Sequence, residues 1–137
     1  MLRANPQHDI AAVEEFLRLY TPYRGFARTS RSGSTMGGRD ILPGEPIALA
    51  YASANRDEAV FADPDSFILD RPNVRDHLAF GRGPHRCAGM SMARLEFQIA
   101  FRTLLDRTTS IEMSGDPRMS GMPEVGPVYA PLKVAGI

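Results

Sequence analysis

Cys87 is the only cysteine in the chain, and it stands in the run Phe80-Gly81-Arg82-Gly83-Pro84-His85-Arg86-Cys87-Ala88-Gly89. A single cysteine excludes an intrachain disulfide and any multi-cysteine zinc or iron–sulfur site. Three uses remain: an inert small hydrophobe, a reactive thiol, or a metal ligand. The last two need the thiolate rather than the thiol. Cys87 comes just before a segment of helical periodicity, where free N–H groups and the positive end of the helix dipole favour an anion. Gly81, Gly83 and Gly89 let the backbone take conformations closed to other residues and approach another group closely. His85, two residues before the cysteine, adds a ring nitrogen to the same loop.

The elements that must position this loop follow from the periodicity around it. Asp9 is placed to cap a helix running to Tyr20, with Ile10, Val13, Leu17 and Tyr20 at helical spacing. Thr21-Pro22 ends it, because the residue before proline is pushed out of the α region. Short strands are predicted between Gly25 and Ala54. Gly37-Gly38 forms a hairpin turn, Pro43-Gly44 a type II turn, and Ile47–Tyr51 a buried strand. A helical turn fits Arg56 to Val60. The stretch 63–89 has few periodic apolar residues and is expected to be irregular, as long unstructured stretches with a function often are. Met92, Leu95, Ile99 and Leu105 then mark an amphipathic helix over 88–107. The tail 108–137 offers strands near Ile111 and at Tyr129–Val134. The predicted class is α+β, mainly α, with two main helices, small β-hairpins and an irregular cysteine loop.

Composition limits the alternatives. At 137 residues, 43% hydrophobic and 23% charged, the chain is a single globular unit rather than a disordered one or two ordinary domains. Lys+Arg and Asp+Glu balance at 16 each, so nothing global points to nucleic acid or an anionic membrane. No apolar run approaches the ~18–20 residues needed to span a bilayer. The N-terminal MLRANPQHDI lacks the features of a signal peptide, so a cytoplasmic location is expected.

The run from Phe80 to Gly89 fits F-G-x-G-x-H-x-C-x-G at every fixed position and resembles the haem-binding loop of the cytochrome P450 family. Six such residues, each at a usual frequency of a few per cent, coincide at roughly one in 10⁸ starting positions. Upstream, Glu15-Phe16-Leu17-Arg18 resembles the family's E-x-x-R motif. Arg71, in Phe67-Ile68-Leu69-Asp70-Arg71-Pro72, matches the arginine that completes a Glu–Arg–Arg network there. Glu14 and Arg18, at i,i+4, read as an ordinary surface pair. Arg28, in Phe26-Ala27-Arg28-Thr29, aligns with an arginine that contacts a haem propionate in bacterial members. Gly37-Gly38, Pro43-Gly44, Ala54-Asn55-Arg56-Asp57, Phe61–Phe67 and His77-Leu78-Ala79 extend the match over essentially the whole chain and are most similar to the soluble bacterial branch.

The resemblance implies the C-terminal, haem-ligating part of the P450 fold. It implies haem b (iron protoporphyrin IX) with Cys87 as iron ligand, Phe80 beside the sulfur, His85 and Arg28 at the propionates, and Gly81, Gly83 and Gly89 shaping the loop. Glu15, Arg18 and Arg71 become the structural network that preorganises it. The activity implied is oxidation of a small organic substrate with dioxygen and electrons from a ferredoxin-type donor. Arg82, Arg86, Arg94 and Arg102 are candidates for a basic docking face. In the family, the segment after Pro22 and the tail around Val125–Tyr129 reach the substrate pocket. Complete members are much longer, and the oxygen-activating helix is not in this sequence. The isolated chain is therefore expected to be inactive, or to serve as a haem-binding or assembly fragment. Its partner would be the missing N-terminal portion or another copy of itself, joined through apolar faces that include Leu17, Ile99 and Leu104.

Overall fold

The computed structural model describes residues 2–121, 124 and 126–136. Val125, expected near the substrate pocket, lies outside them. Two 3-10 turns, Leu2–Ala4 and Pro6–His8, lead into helix α1 (Asp9–Leu19). Asp9 is the first helical residue and makes no capping bond; His8 occupies the cap position. Ala12, Val13 and Leu17 are buried, whereas Ile10 and Tyr20 at the ends of the expected apolar stripe are exposed. The helix stops at Leu19. The Thr21 hydroxyl donates to the free carbonyls of Leu17 and Arg18 at 3.3 and 2.9 Å, and Pro22 follows.

Strand β1 (Phe26–Thr29) is followed by β2 (Ser34–Met36), β3 (Arg39–Ile41) and β4 (Pro46–Leu49). β2 and β3 pair antiparallel with Met36 opposite Arg39. Gly37 and Gly38 between them have φ of 57° and 78°, the two positive angles of a type I′ turn. Gly44 has φ 83°, and Glu45 N–H donates to Leu42 C=O at 3.1 Å, the expected type II turn. β1 pairs antiparallel with β4, with Phe26 opposite Leu49. A Cβ at Gly25 would lie 2.0 Å from the Leu49 carbonyl oxygen, so only glycine allows these strands to close.

The strand expected to reach Tyr51 ends at Leu49, and the alanine-rich Tyr51–Ala54 forms the short helix α2. The helical turn expected over Arg56–Val60 is present as a single turn, closed by Phe61 N–H to Asp57 C=O at 2.8 Å. There the Asp57 carboxylate accepts the Ala59 N–H at 2.9 Å and competes with helix continuation. Residues 55–89 are irregular except for 3-10 turns at Val74–Asp76 and Gly83–His85. Helix α3 (Met90–Arg107) starts two residues later than the sequence suggested. Strands β5 (Thr108–Met113), β6 (Arg118–Met119), β7 (Pro127–Tyr129) and β8 (Leu132–Gly136) complete the chain, with β5 pairing β8 and β6 pairing β7.

α1 meets α3 through rings, with Phe16 centred 4.9 Å from Phe67, 5.6 Å from Phe101 and 6.2 Å from Phe97. The far side of α3 is uncovered: Met92, Leu95 and Ile99 are 64%, 55% and 58% exposed, and Leu104 is exposed too. Leu17, expected among the exposed apolar residues, is instead buried.

Candidate functional site

The cysteine loop is closed by one backbone bond, from Cys87 N–H to Phe80 C=O at 2.9 Å. Gly81 and Gly83, at φ 67° and 77°, make the reversal that this closure requires. Arg86 N–H donates to Gly83 C=O, and Met90 N–H to Cys87 C=O, so the loop runs into the first turn of α3. The Cys87 thiol is exposed, although free cysteines are among the most buried residues. It opens on a cleft of about 420 Å³. Ala79, Phe80, Gly81 and His85 line the cleft beside it, and Pro22, Tyr23, Phe26, Arg28 and Tyr51 form the facing wall. Tyr23 stacks on Phe26 at 5.3 Å, and Tyr51 meets Phe26 edge-on at 6.0 Å. Two polar groups sit in this apolar setting. The Arg28 guanidinium donates only to Ala27 C=O and pairs with no carboxylate among the described residues. His85 has no side-chain hydrogen bond among them.

Two acidic networks fix the loop's surroundings, and they begin at consecutive residues. Neighbours on a helix point about 100° apart, so Glu14 and Glu15 serve different parts of the molecule. The side chains of Glu15, Arg18 and Arg71 are 0%, 0% and 3% exposed. Arg18 grips Glu15 with Nε and Nη2, both at 2.8 Å; Arg71 Nε donates to it at 3.1 Å, and Ile68 N–H at 3.0 Å. The same guanidinium groups also hold carbonyls of the irregular segment: Asn55 and Pro64 from Arg18, Ala62 and Asp63 from Arg71, and Ser66 from both. Burial pushes the Glu15 carboxyl up, but the Arg18, Ile68 and Arg71 donors outweigh it and hold the group below its ordinary range. Asn55, which the sequence marks only as part of the matching run Ala54–Asp57, is fully buried and ties the segments together: it donates to Thr21 Oγ1 and accepts Leu78 N–H, both at 2.6 Å.

Glu14 is not the surface partner of Arg18. Its side chain is 4% exposed and accepts from Arg94 Nε at 2.6 Å, Arg94 Nη2 at 2.9 Å and His77 Nε2 at 3.0 Å. Burial alone would raise its pKa, but His77 and Arg94 lower it to about 2. A depressed carboxylate pKa contributes stability above the unfolded value of 4.5, and that stability is lost as pH falls through about 2. Glu14→Gln is therefore expected to destabilise the chain at pH 7 and to flatten its pH dependence between about 5 and 2, read from urea midpoints along a pH series. A wild-type dependence retained in the variant would refute this.

Of the four arginines expected on a basic face, Arg94 is committed to Glu14, and Arg102 lies 2.7 Å from Asp106 and 3.5 Å from Asp9. Arg82 and Arg86 are exposed and have no carboxylate partner among the described residues. Long arginines on a helix reach across to acids on neighbouring elements, which the linear sequence does not reveal.

The sequence model of the family described as Cytochrome P450 matches residues 10–128. The chain belongs to the cytochrome P450 family. It is 43% identical over 111 residues to cytochrome P450 144 of Mycobacterium tuberculosis, a match covering 81% of this chain and 26% of that protein. It is 42% identical over 135 residues to cytochrome P450-terp of a Pseudomonas species, covering 97% of this chain and 31% of that one. The solved structure of P450BioI, in complex with an acyl carrier protein ligated to hexadec-9Z-enoic acid, superposes with a TM-score of 0.92 at 37% identity, covering 97% of this chain and 35% of that one. This P450 chain thus spans about a quarter to a third of the length of such relatives, and its fold is the corresponding part of the P450 fold, mixed α+β. Among its described residues, no helix is long and apolar enough to cross a membrane.

Proposed function

We propose that Cys87 is the thiolate ligand of a haem b iron, and that this chain is the iron-ligating part of a P450 monooxygenase. The observation that carries the reading is the exposed lone thiol on an aromatic-walled cleft that also holds Arg28 and His85. The fit is chemical. Among the described residues no group of three or more His, Cys, Asp and Glu could hold a metal ion, so a metal at Cys87 must bring further ligands of its own, as a macrocycle does. The walls from Phe26 and Tyr51 suit a flat apolar face, and Gly81, which lines the same cleft, adds no side chain to it. Arg28 suits a carboxylate through its planar fork, and His85 adds a second donor, so both would hold the propionates. Phe80 would pack beside the sulfur, and Gly89 leaves room next to it. Bound haem iron would supply the activation of dioxygen for insertion of one oxygen atom into a small organic substrate. Arg82 and Arg86 would offer their charge to an acidic, ferredoxin-type electron donor.

A second reading, a haem-binding or assembly role without turnover, is favoured by the uncovered side chains of α3 and by an apolar cleft of about 400 Å³ between Phe16, Tyr20 and Phe101. Larger exposed apolar surfaces mark interaction sites. One experiment addresses both readings. The chain is expressed with a haem supply, purified, reduced and exposed to carbon monoxide, and its Soret band and sedimentation are recorded. A strongly red-shifted band is expected. Absence of haem, or a band like that of imidazole-ligated haem, would overturn thiolate ligation, and a strictly monomeric species would overturn assembly through α3.

A further inference from the structure

We propose that Glu14, His77 and Arg94 form a positioning clamp that holds Phe80 and, through it, the closed form of the Cys87 loop. The three side chains come from elements on both sides of that loop. Glu14 is on α1, His77 lies three residues before Phe80, and Arg94 projects from α3 seven residues after Cys87. One carboxylate therefore grips the entry and the exit of the loop together.

The bonding is specific. Ala79 N–H donates to His77 Nδ1 at 3.1 Å, so Nδ1 is an acceptor and Nε2 carries the proton that goes to Glu14. Arg94 meets Glu14 as a two-pronged fork, and its guanidinium lies 4.7 Å over the centre of the Phe80 ring. The His77 ring is 6.0 Å from the same ring. Phe80 is thus bounded by a cation on its face and an imidazole beside it. Its own carbonyl receives the Cys87 N–H that closes the loop. Side-chain exposures of 1% for His77, 4% for Glu14 and 22% for Arg94 place these contacts where water screens them little. The Glu15 network, by contrast, binds Asn55 and residues 62–68, and none of its hydrogen bonds reaches residues 80–89. The two carboxylates therefore divide the work: Glu15 fixes the irregular segment and Glu14 sets the loop.

The consequence at iron rests on the haem reading above, whereas the effect on the loop does not, and the test separates them. Amide hydrogen exchange is measured on the full chain for wild type, Glu14→Gln, Arg94→Met and Arg94→Lys. Cys87 N–H reports loop closure, and Ile68 N–H, bound to Glu15, serves as the internal reference. Arg94→Met and Glu14→Gln are expected to speed exchange at Cys87 about tenfold or more, the equivalent of ~1.4 kcal/mol of local opening, with Ile68 nearly unchanged. Arg94→Lys keeps the charge but loses the fork and the flat stack, so it rescues only in part. If Glu14→Gln fails to fold, the partly exposed Arg94 still gives the answer. An unprotected Cys87 amide in the wild type would overturn the proposal, as would no change in Arg94→Met or equal changes at Cys87 and Ile68. In a parallel arm with haem, Arg94→Met is expected to move part of the carbon monoxide band away from its thiolate position. A chain that takes up no haem at all refutes the haem reading alone and leaves the exchange result to decide on the clamp.

Discussion

Cys87→Ser is expected to remove the red-shifted carbon monoxide band entirely while leaving the fold intact. Both halves of this outcome follow from where the residue sits. The side chain is exposed at the mouth of the cleft and makes no side-chain hydrogen bond among the described residues, so losing its sulfur creates no cavity. Surface changes of that kind usually stay within about 0.5 kcal/mol. The loop itself is held by backbone groups, chiefly the Cys87 N–H to Phe80 C=O bond, which serine retains. What changes is ligand chemistry. Any thiol ionises far more readily than a serine hydroxyl, and the thiolate is the species that binds a metal. With only one cysteine in the chain, no other thiolate can substitute. Cys87→His tests the same point from another side, since imidazole is a competent iron ligand and is expected to retain haem without the red shift. A red-shifted band that survives in Cys87→Ser would place the ligand outside this chain and end the proposal. An equal thermal midpoint in wild type and variant shows that the loss is not unfolding.

Much of the scaffold behind that loop was legible because it depends on local rules. Gly37-Gly38 and Pro43-Gly44 announce their turns, since positive φ selects glycine almost regardless of context. Glu15 and Arg18 at i,i+3 share a helix face in any α-helix, and the loop residues from Phe80 to Gly89 are contiguous. Tertiary arrangement was harder to read. Glu14 carries the same local signature as a solvated acid, and its partners lie 63 and 80 residues away on other elements. The spacing to Arg18 therefore suggested a pair that the fold does not make. Tyr51 was expected to end a strand, but it begins α2 and walls the cleft with Phe26, which belongs to a different strand. The apolar stripe of α3 was correctly seen as apolar, but periodicity cannot say which stripes are covered. In α1, Val13 and Leu17 are buried while Ile10 is not.

Glu15→Ala is expected to be the most damaging single substitution, lowering the stability and yield of folded chain before any haem chemistry is affected. The carboxylate is the shared acceptor of Arg18, Arg71 and the Ile68 N–H, and neither arginine can lose its charge or reach water. Breaking a buried ion pair from one side costs ~3–5 kcal/mol, and here two cations are left at once. Native domains have only about 5–15 kcal/mol in total, so the loss is a large part of the whole. Arg71→Ala removes less, because Glu15 keeps both bonds from Arg18 and the one from Ile68; the carbonyls of Ala62 and Asp63 lose their donor. The expected order of urea midpoints is wild type, then Arg71→Ala, then Glu15→Ala, and soluble yield follows the same order. The depressed Glu15 carboxyl adds a sign: its contribution is complete above the unfolded pKa of 4.5 and fades as pH falls below it, so the gap between wild type and variant narrows in acid. Replacing all three residues by apolar side chains of similar volume is a separate case, since it leaves no stranded charge and can be nearly neutral. Unchanged midpoints and unchanged haem content in Glu15→Ala would mean that the network does not hold the irregular segment.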